Sequence, residues 1–203
     1  KDLYSDGDSD PREFHSAGNW ALFIARTSDG DRIWATDGTA AGTTVLGAMR
    51  AAWSQHDGDI LATDGRVFFA ASDPINGEEV WTTDGTPGGT RMLRNINDVT
   101  FDSDPSAPVE LDGVAYFTAD DGIHGRELWR TDGTPEGTRL VKDIYDGSSG
   151  SSPQNLGVFG GALYFWAYEP SAGRALWTSD GTQAGTGLLK DVSYGGSLAT
   201  VGE

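Results

Sequence analysis

Apolar residues in this chain come in short bursts, such as Phe68-Phe69, Ala115-Tyr116-Phe117 and Leu163-Tyr164-Phe165-Trp166, each bounded by glycine and aspartate. Runs this short, rich in aromatic residues and set between turn signals, predict β-strands rather than helices. They are locally continuous rather than cleanly alternating, which is the pattern of strands buried on both faces. The stretch 107–144 divides most easily. It predicts a strand over 107–111, a two-residue turn at Asp112-Gly113, a strand over 114–119, a glycine-bearing loop over 120–125, a strand over 126–131, a turn over 132–137 and a last strand over 138–144.

That plan recurs. Trp34, Trp81, Trp129 and Trp177 follow one another at steps of 47, 48 and 48 residues, and each is followed three residues later by Asp-Gly-Thr, preceded in three cases by threonine and in one by serine. The hairpin turn recurs too, as Gly18-Asn19, Asp64-Gly65, Asp112-Gly113 and Gly160-Gly161. A nearly fixed period in this range marks a repeat architecture whose units bury their faces against one another. Four antiparallel strands per unit predict an all-β fold, a β-propeller of four visible four-stranded blades, alone or within a larger ring. The blades are expected at about 14–49, 58–96, 107–144 and 155–192, within a single domain over 1–203. Lys1-Asp2-Leu3-Tyr4 resembles Lys142-Asp143-Ile144-Tyr145, so the chain is expected to start and end at equivalent points of the repeat, as a mature or excised segment would.

Composition narrows the function classes. With 14 Lys and Arg against 31 Asp and Glu the net charge is -17, which repels nucleic acid and anionic membranes. Cysteine is absent, which removes disulfides and thiol chemistry, and no stretch is apolar enough for a direct membrane insertion.

The run Tyr116 to Thr134, with Glu127-Leu128-Trp129-Arg130-Thr131-Asp132-Gly133-Thr134 at its end, resembles the ELWxxDGT repeat of large, mostly bacterial, exported proteins. All four units match around the tryptophan and the Asp-Gly-Thr; units one and four depart at the Glu-Leu pair, with Arg32-Ile33 and Ala175-Leu176. The resemblance implies a secreted or cell-surface bacterial module, or a periplasmic one, with no activity to carry over to particular residues. Another protein or an oligomeric assembly is the expected partner, through loops that break the repeat at 48–59 and 168–173; carbohydrate is the alternative.

Candidate site residues follow from their chemistry. Asp37, Asp84, Asp132 and Asp180 each head a turn in which an aspartate accepts from amides two residues on, so their expected role is structural. Trp34, Trp81, Trp129 and Trp177 sit mid-strand and are expected to fill the wedges between blades. Trp53, with His56 in the same polar stretch and Tyr168 in the fourth unit, are the candidate ligand contacts. Asp6, Asp8 and Asp10 begin like a calcium loop, and Asp102 and Asp104 repeat part of it, which makes calcium the one candidate cofactor, although Pro11 and Ala17 occupy positions an EF-hand reserves for glycine and glutamate. His15, His56 and His124 fall at different places in the repeat. No nucleophile elbow is present, and the chain is expected not to be an enzyme.

Overall fold

The computed structural model describes residues 1–52, 60–63, 65–99 and 102–190. It is all β, built of four sheets in chain order. The first runs β1 (Arg12–Ala17), β2 (Trp20–Thr27), β3 (Gly30–Thr36) and β4 (Thr44–Val45). The second contains β5 (Arg50–Ala51), β6 (Ile60–Thr63), β7 (Arg66–Asp73), β8 (Gly77–Thr83) and β9 (Arg91–Met92). The third has β10 (Ser106–Leu111), β11 (Val114–Asp120), β12 (Arg126–Thr131) and β13 (Arg139–Lys142). The fourth has β14 (Gln154–Phe159), β15 (Ala162–Glu169), β16 (Gly173–Ser179) and β17 (Gly187–Lys190). All pairings are antiparallel and, apart from β5 with β7, join sequence neighbours, so each sheet is built as a meander.

The first strands of successive sheets touch one another, β1 with β6, β6 with β10 and β10 with β14. They therefore form the inner edge, and the short fourth strands the outer rim, as in propeller blades. Between sheets the packing is periodic. A phenylalanine on the second strand pairs across to the tryptophan on the third: Phe23 with Trp34, Phe69 with Trp81, Phe117 with Trp129 and Phe165 with Trp177. This face of each sheet packs against the reverse face of the sheet before it. Phe117 and Trp129 share a core with Phe68 and Val80, and Phe165 and Trp177 share one with Tyr116 and Leu128. Each strand thus presents apolar residues to both sides, which is why the bursts in the sequence do not alternate. The first sheet has no sheet before it, and its Phe23 and Trp34 pack with Leu3. Lys1 lies over the Trp34 ring and donates to the Thr43 carbonyl, as Lys142 lies over Trp177 and donates to the Thr186 carbonyl.

The inner strands share a bulge. Register slips in β1, β10 and β14 where Glu13, Ala107 and Asn155 take left-handed φ of 54°, 53° and 55°. In the second sheet two short strands meet β7 on that side: β5 pairs with Ala71 and Ser72, and β6 with residues 66–69. The second blade accordingly begins at Arg50, earlier than the sequence pattern suggests.

Candidate functional site

A four-strand meander puts its loops at two ends. One end carries the Asp-Gly-Thr turns and the β1–β2 type hairpins; the other carries the second hairpins and the passages from one sheet to the next.

At the turn end the four aspartates do the same job. Asp132 Oδ1 accepts from the Thr134 amide at 2.9 Å and from its hydroxyl at 2.6 Å, and Asp37, Asp84 and Asp180 repeat this with Thr39, Thr86 and Thr182. These bonds, led by the threonine hydroxyl, hold all four carboxyls below the usual carboxylate range. A second bond locks the turn behind them, Thr131 to Thr138 at 2.7 Å, with Thr36 to Thr43, Thr83 to Thr90 and Ser179 to Thr186 as its copies. The glycine after each aspartate has φ near +85°, for example +87° at Gly133, and all but Gly38 lie under a side chain of the preceding sheet: Trp20 over Gly85, Arg66 over Gly133, Tyr116 over Gly181.

These contacts define three clefts between successive turns, and they are not filled alike. Between sheets two and three, Arg91 donates to the Gly133 carbonyl at 2.9 Å beside Arg66. Between sheets three and four, Arg130 donates to the Gly181 carbonyl at 3.2 Å and stacks on Tyr116, 5.8 Å from its centroid. Between sheets one and two the corresponding positions are Ala35 and Thr44. There the cleft is open, with a volume of about 440 Å³ lined by Trp20, Ala35, Asp37, Asp84 and Gly85.

The opposite end is built by buried and half-buried carboxylates. Glu127, fully buried, accepts from the Ser151 amide at 2.7 Å, the Ser151 hydroxyl at 2.5 Å and the Tyr145 amide at 3.2 Å. Glu79 does the same with Ser103, Ile96 and Asn97. Burial pushes both carboxyls up, against the pull of these bonds. The glutamate of the Glu-Leu-Trp motif therefore clamps the passage into the next sheet, a role sequence reasoning discounted because units one and four lack it.

Outside that clamp sits an acidic cluster around His124. Its Nδ1 is 2.7 Å from Asp121 Oδ2, and its Nε2 faces Asp143 at 4.0 Å. The bond to Asp121, with the nearby charges of Asp121, Asp143 and Glu127, raises the His124 pKa. Burial opposes the charge of Asp121, but hydrogen bonds from the His124 side chain and amide and the Ile123 amide win, and its pKa falls; burial pushes Asp143 up. The equivalent loop of the second sheet replaces the pair by Asp73 and Asn76, at 2.9 Å. Between these loops stand apolar tips. Ile75 is 80% exposed, and Ile123 and Val99 are each 58% exposed, with Val99 against Gly122.

The predicted site residues fall as follows. Trp34, Trp129 and Trp177 are buried and Trp81 is partly buried against the core of the first two sheets. Trp53 and His56 lie outside the described residues. Tyr168 is half exposed and stacks on Tyr145, with centroids 5.7 Å apart, at the loop end. The stretch 168–173 does not break the repeat; it is the hairpin equivalent to 72–77. Of the calcium candidates, Asp6 is exposed, Asp8 accepts from the Asp10 amide, Asp10 pairs with Arg12, Asp102 accepts from the Glu78 amide and Asp104 pairs with Arg126. Among the described residues no group of three His, Asp or Glu is arranged to hold a metal. Four of the five carboxylates that sequence reasoning grouped for calcium thus already have amide or arginine partners. What it missed were the Glu127 clamp, the His124 cluster and the Trp20 cleft.

No family model and no curated protein matches this chain in sequence. Solved structures do match it in shape. A puromycin hydrolase mutant complexed with PGG aligns with a TM-score of 0.52 at 15% identity, over 95% of this chain and 31% of that one. The acylaminoacyl peptidase of Pyrococcus horikoshii aligns with a TM-score of 0.50 at 15% identity, over 88% and 27%. TolB from Acinetobacter baumannii aligns with a TM-score of 0.49 at 14% identity, over 88% and 42%. The chain therefore spans less than half the length of each. At such identity the likeness concerns the arrangement of sheets alone, and the class it supports is the all-β propeller.

Proposed function

We propose that this chain is a module of an exported or cell-surface bacterial protein of the ELWxxDGT repeat type, and that it serves as a non-enzymatic scaffold that docks another protein. The observation that carries this is the row of exposed apolar tips, Ile75, Val99 and Ile123, on the loop end of sheets two and three. Each such side chain is worth about 1.5–3 kcal/mol when fully buried, so solvated loops gain from covering them. Aliphatic tips set among carboxylates suit a partner with an apolar centre and a basic rim. A catalytic reading has less behind it, because His124 faces carboxylates through both ring nitrogens rather than a hydroxyl. A multivalent carbohydrate binder would want equivalent shallow pockets between blades, whereas arginines fill two of the three turn clefts.

Cross-linking capture from the secreted fraction of the source cells tests the reading, comparing the wild type with the Ile75→Ser, Val99→Ser, Ile123→Ser triple variant. A protein captured by the first and lost with the second is expected. Capture unaffected by the three changes, or saturable glycan binding as the sole activity, sinks it.

A further inference from the structure

The open cleft between the first two sheets is the space that a guanidinium occupies in its two sister clefts. We infer that this cleft is a binding site for a guanidinium group, such as an arginine side chain presented by a peptide or protein.

The molecule supplies its own templates. In the second cleft the donor to the turn glycine carbonyl is Arg91, from the first residue of β9; in the third it is Arg130, from the residue after the tryptophan of β12. Register places Thr44 where Arg91 stands and Ala35 where Arg130 stands. Neither side chain is long enough to reach the Gly85 carbonyl, and among the described residues no side chain donates to it. The rest of the recognition surface is retained. Asp37 and Asp84, one from each sheet, line the cleft with carboxylates whose Oδ1 atoms are committed to their turns, leaving each Oδ2 to accept. Trp20 supplies an aromatic ring over the Gly85 turn, as Tyr116 does over Gly181, although by register Trp20 stands where Arg66 does and Tyr116 answers to Leu22. An aromatic face flanked by carboxylates and a carbonyl matches the planar, delocalised guanidinium better than a compact ammonium.

Where the sister clefts are neutralised from within, this one keeps two exposed carboxylates and an empty seat. Arg66, the sole cation that bears on Asp84, belongs to the neighbouring cleft.

Titration with Nα-acetyl-arginine amide, followed through the Trp20 indole and Gly85 amide resonances, tests the assignment. The expected result is a saturable shift confined to this cleft, with binding in the millimolar range for an isolated side chain and about tenfold weaker binding of the lysine analogue. Thr44→Arg, a change at a partly exposed rim position, places a guanidinium in the seat as Arg91 does and is expected to abolish the shift. Absence of a saturable shift in the wild type, equal binding of the lysine analogue, or undiminished binding in Thr44→Arg each overturns it. The wild-type comparison of the two analogues decides even without the variant.

Discussion

Glu127 and Ser151 are joined twice, amide to Oε1 and hydroxyl to Oε2, across the passage that leads from the third sheet into the fourth. Glu79 takes the Ser103 hydroxyl in the same way one sheet earlier, while the Ser103 amide donates to the Glu78 carbonyl. A carboxylate buried this fully is tolerated because each oxygen accepts from a donor that also lacks water. Removing it strands those donors, at about 1–3 kcal/mol for the unsatisfied groups together with the lost charged hydrogen bonds. Glu127→Ala and Glu79→Ala are therefore each expected to lower stability by about 3 kcal/mol in urea unfolding. Arg32→Ala, at the corresponding and partly exposed position of the first sheet, is expected to change it by less than about 1 kcal/mol; equal losses at all three sites would remove the clamp argument.

His124 predicts a pH dependence. Its folded pKa is raised above the ordinary value of about 6.5, so its contribution is complete below that value and is lost as pH rises through the elevated one. Asp121 is lowered, so its contribution is present above the ordinary carboxylate range and is lost on acidification. The facing groups, Asp121, Asp143 and Glu127, are all acidic. His124→Asn installs the residue that the second sheet uses against Asp73. The variant is expected to keep its loop and to lose the decline above neutrality, seen as urea midpoints that run parallel to the wild type in acid and flatten as pH rises above about 6.5. Identical slopes in both proteins would discard the assignment.

The threonine pairs behind the turns predict a contrast within one site. Thr131 is fully buried and shares its hydroxyl with Thr138 and with the Gly133 amide. The fourth sheet keeps only a hydroxyl there, on Ser179. Thr131→Ser is expected to cost less than about 1 kcal/mol and Thr131→Val about 2 kcal/mol, because the isosteric valine strands the Gly133 amide and takes away the hydroxyl that meets Thr138, which keeps its own bond to the Thr134 carbonyl. Thermal unfolding of both variants checks the order.

Much of this architecture was legible from residues. The tryptophan spacing placed the third strands, and Asp-Gly-Thr placed the turns, because local turn chemistry and a two-sided strand both leave signatures in adjacent residues. The clefts and the clamp were not legible in the same way. Glu127 needs Ser151, and Gly133 needs Arg91, partners supplied by the neighbouring sheet, and only the observed register shows which residue of one unit stands in for Arg130 in another.

The turn glycines are expected to be irreplaceable for two separate reasons. Gly133 has φ +87°, and a Cβ there falls 1.9 Å from Arg66 Nη1; Gly88 has open space around the same point. Gly133→Ala is expected to cost roughly 2–3 kcal/mol, from the left-handed backbone and the displaced arginine together, whereas Gly88→Ala is expected to be neutral or mildly stabilising. Urea denaturation of the two variants separates a local requirement from a general loss of glycine.

The bulge makes the opposite prediction. Ala107 holds φ +53° with a Cβ, a conformation that costs an L-residue about 1–2 kcal/mol. Glycine removes that cost, but its greater unfolded-state freedom opposes folding by about 0.5–1 kcal/mol. The strain is the larger quantity, so Ala107→Gly is expected to stabilise the protein by about 0.5–1 kcal/mol. Asn155 sits at the same place in the fourth sheet, at φ +55°, and asparagine tolerates this region through its own local hydrogen bonding. Asn155→Gly is thus expected to gain less than Ala107→Gly. If both gained equally, backbone strain would not be what distinguishes them, and the left-handed bulge would be paid for by the sheet ladder around it rather than by the residue that occupies it.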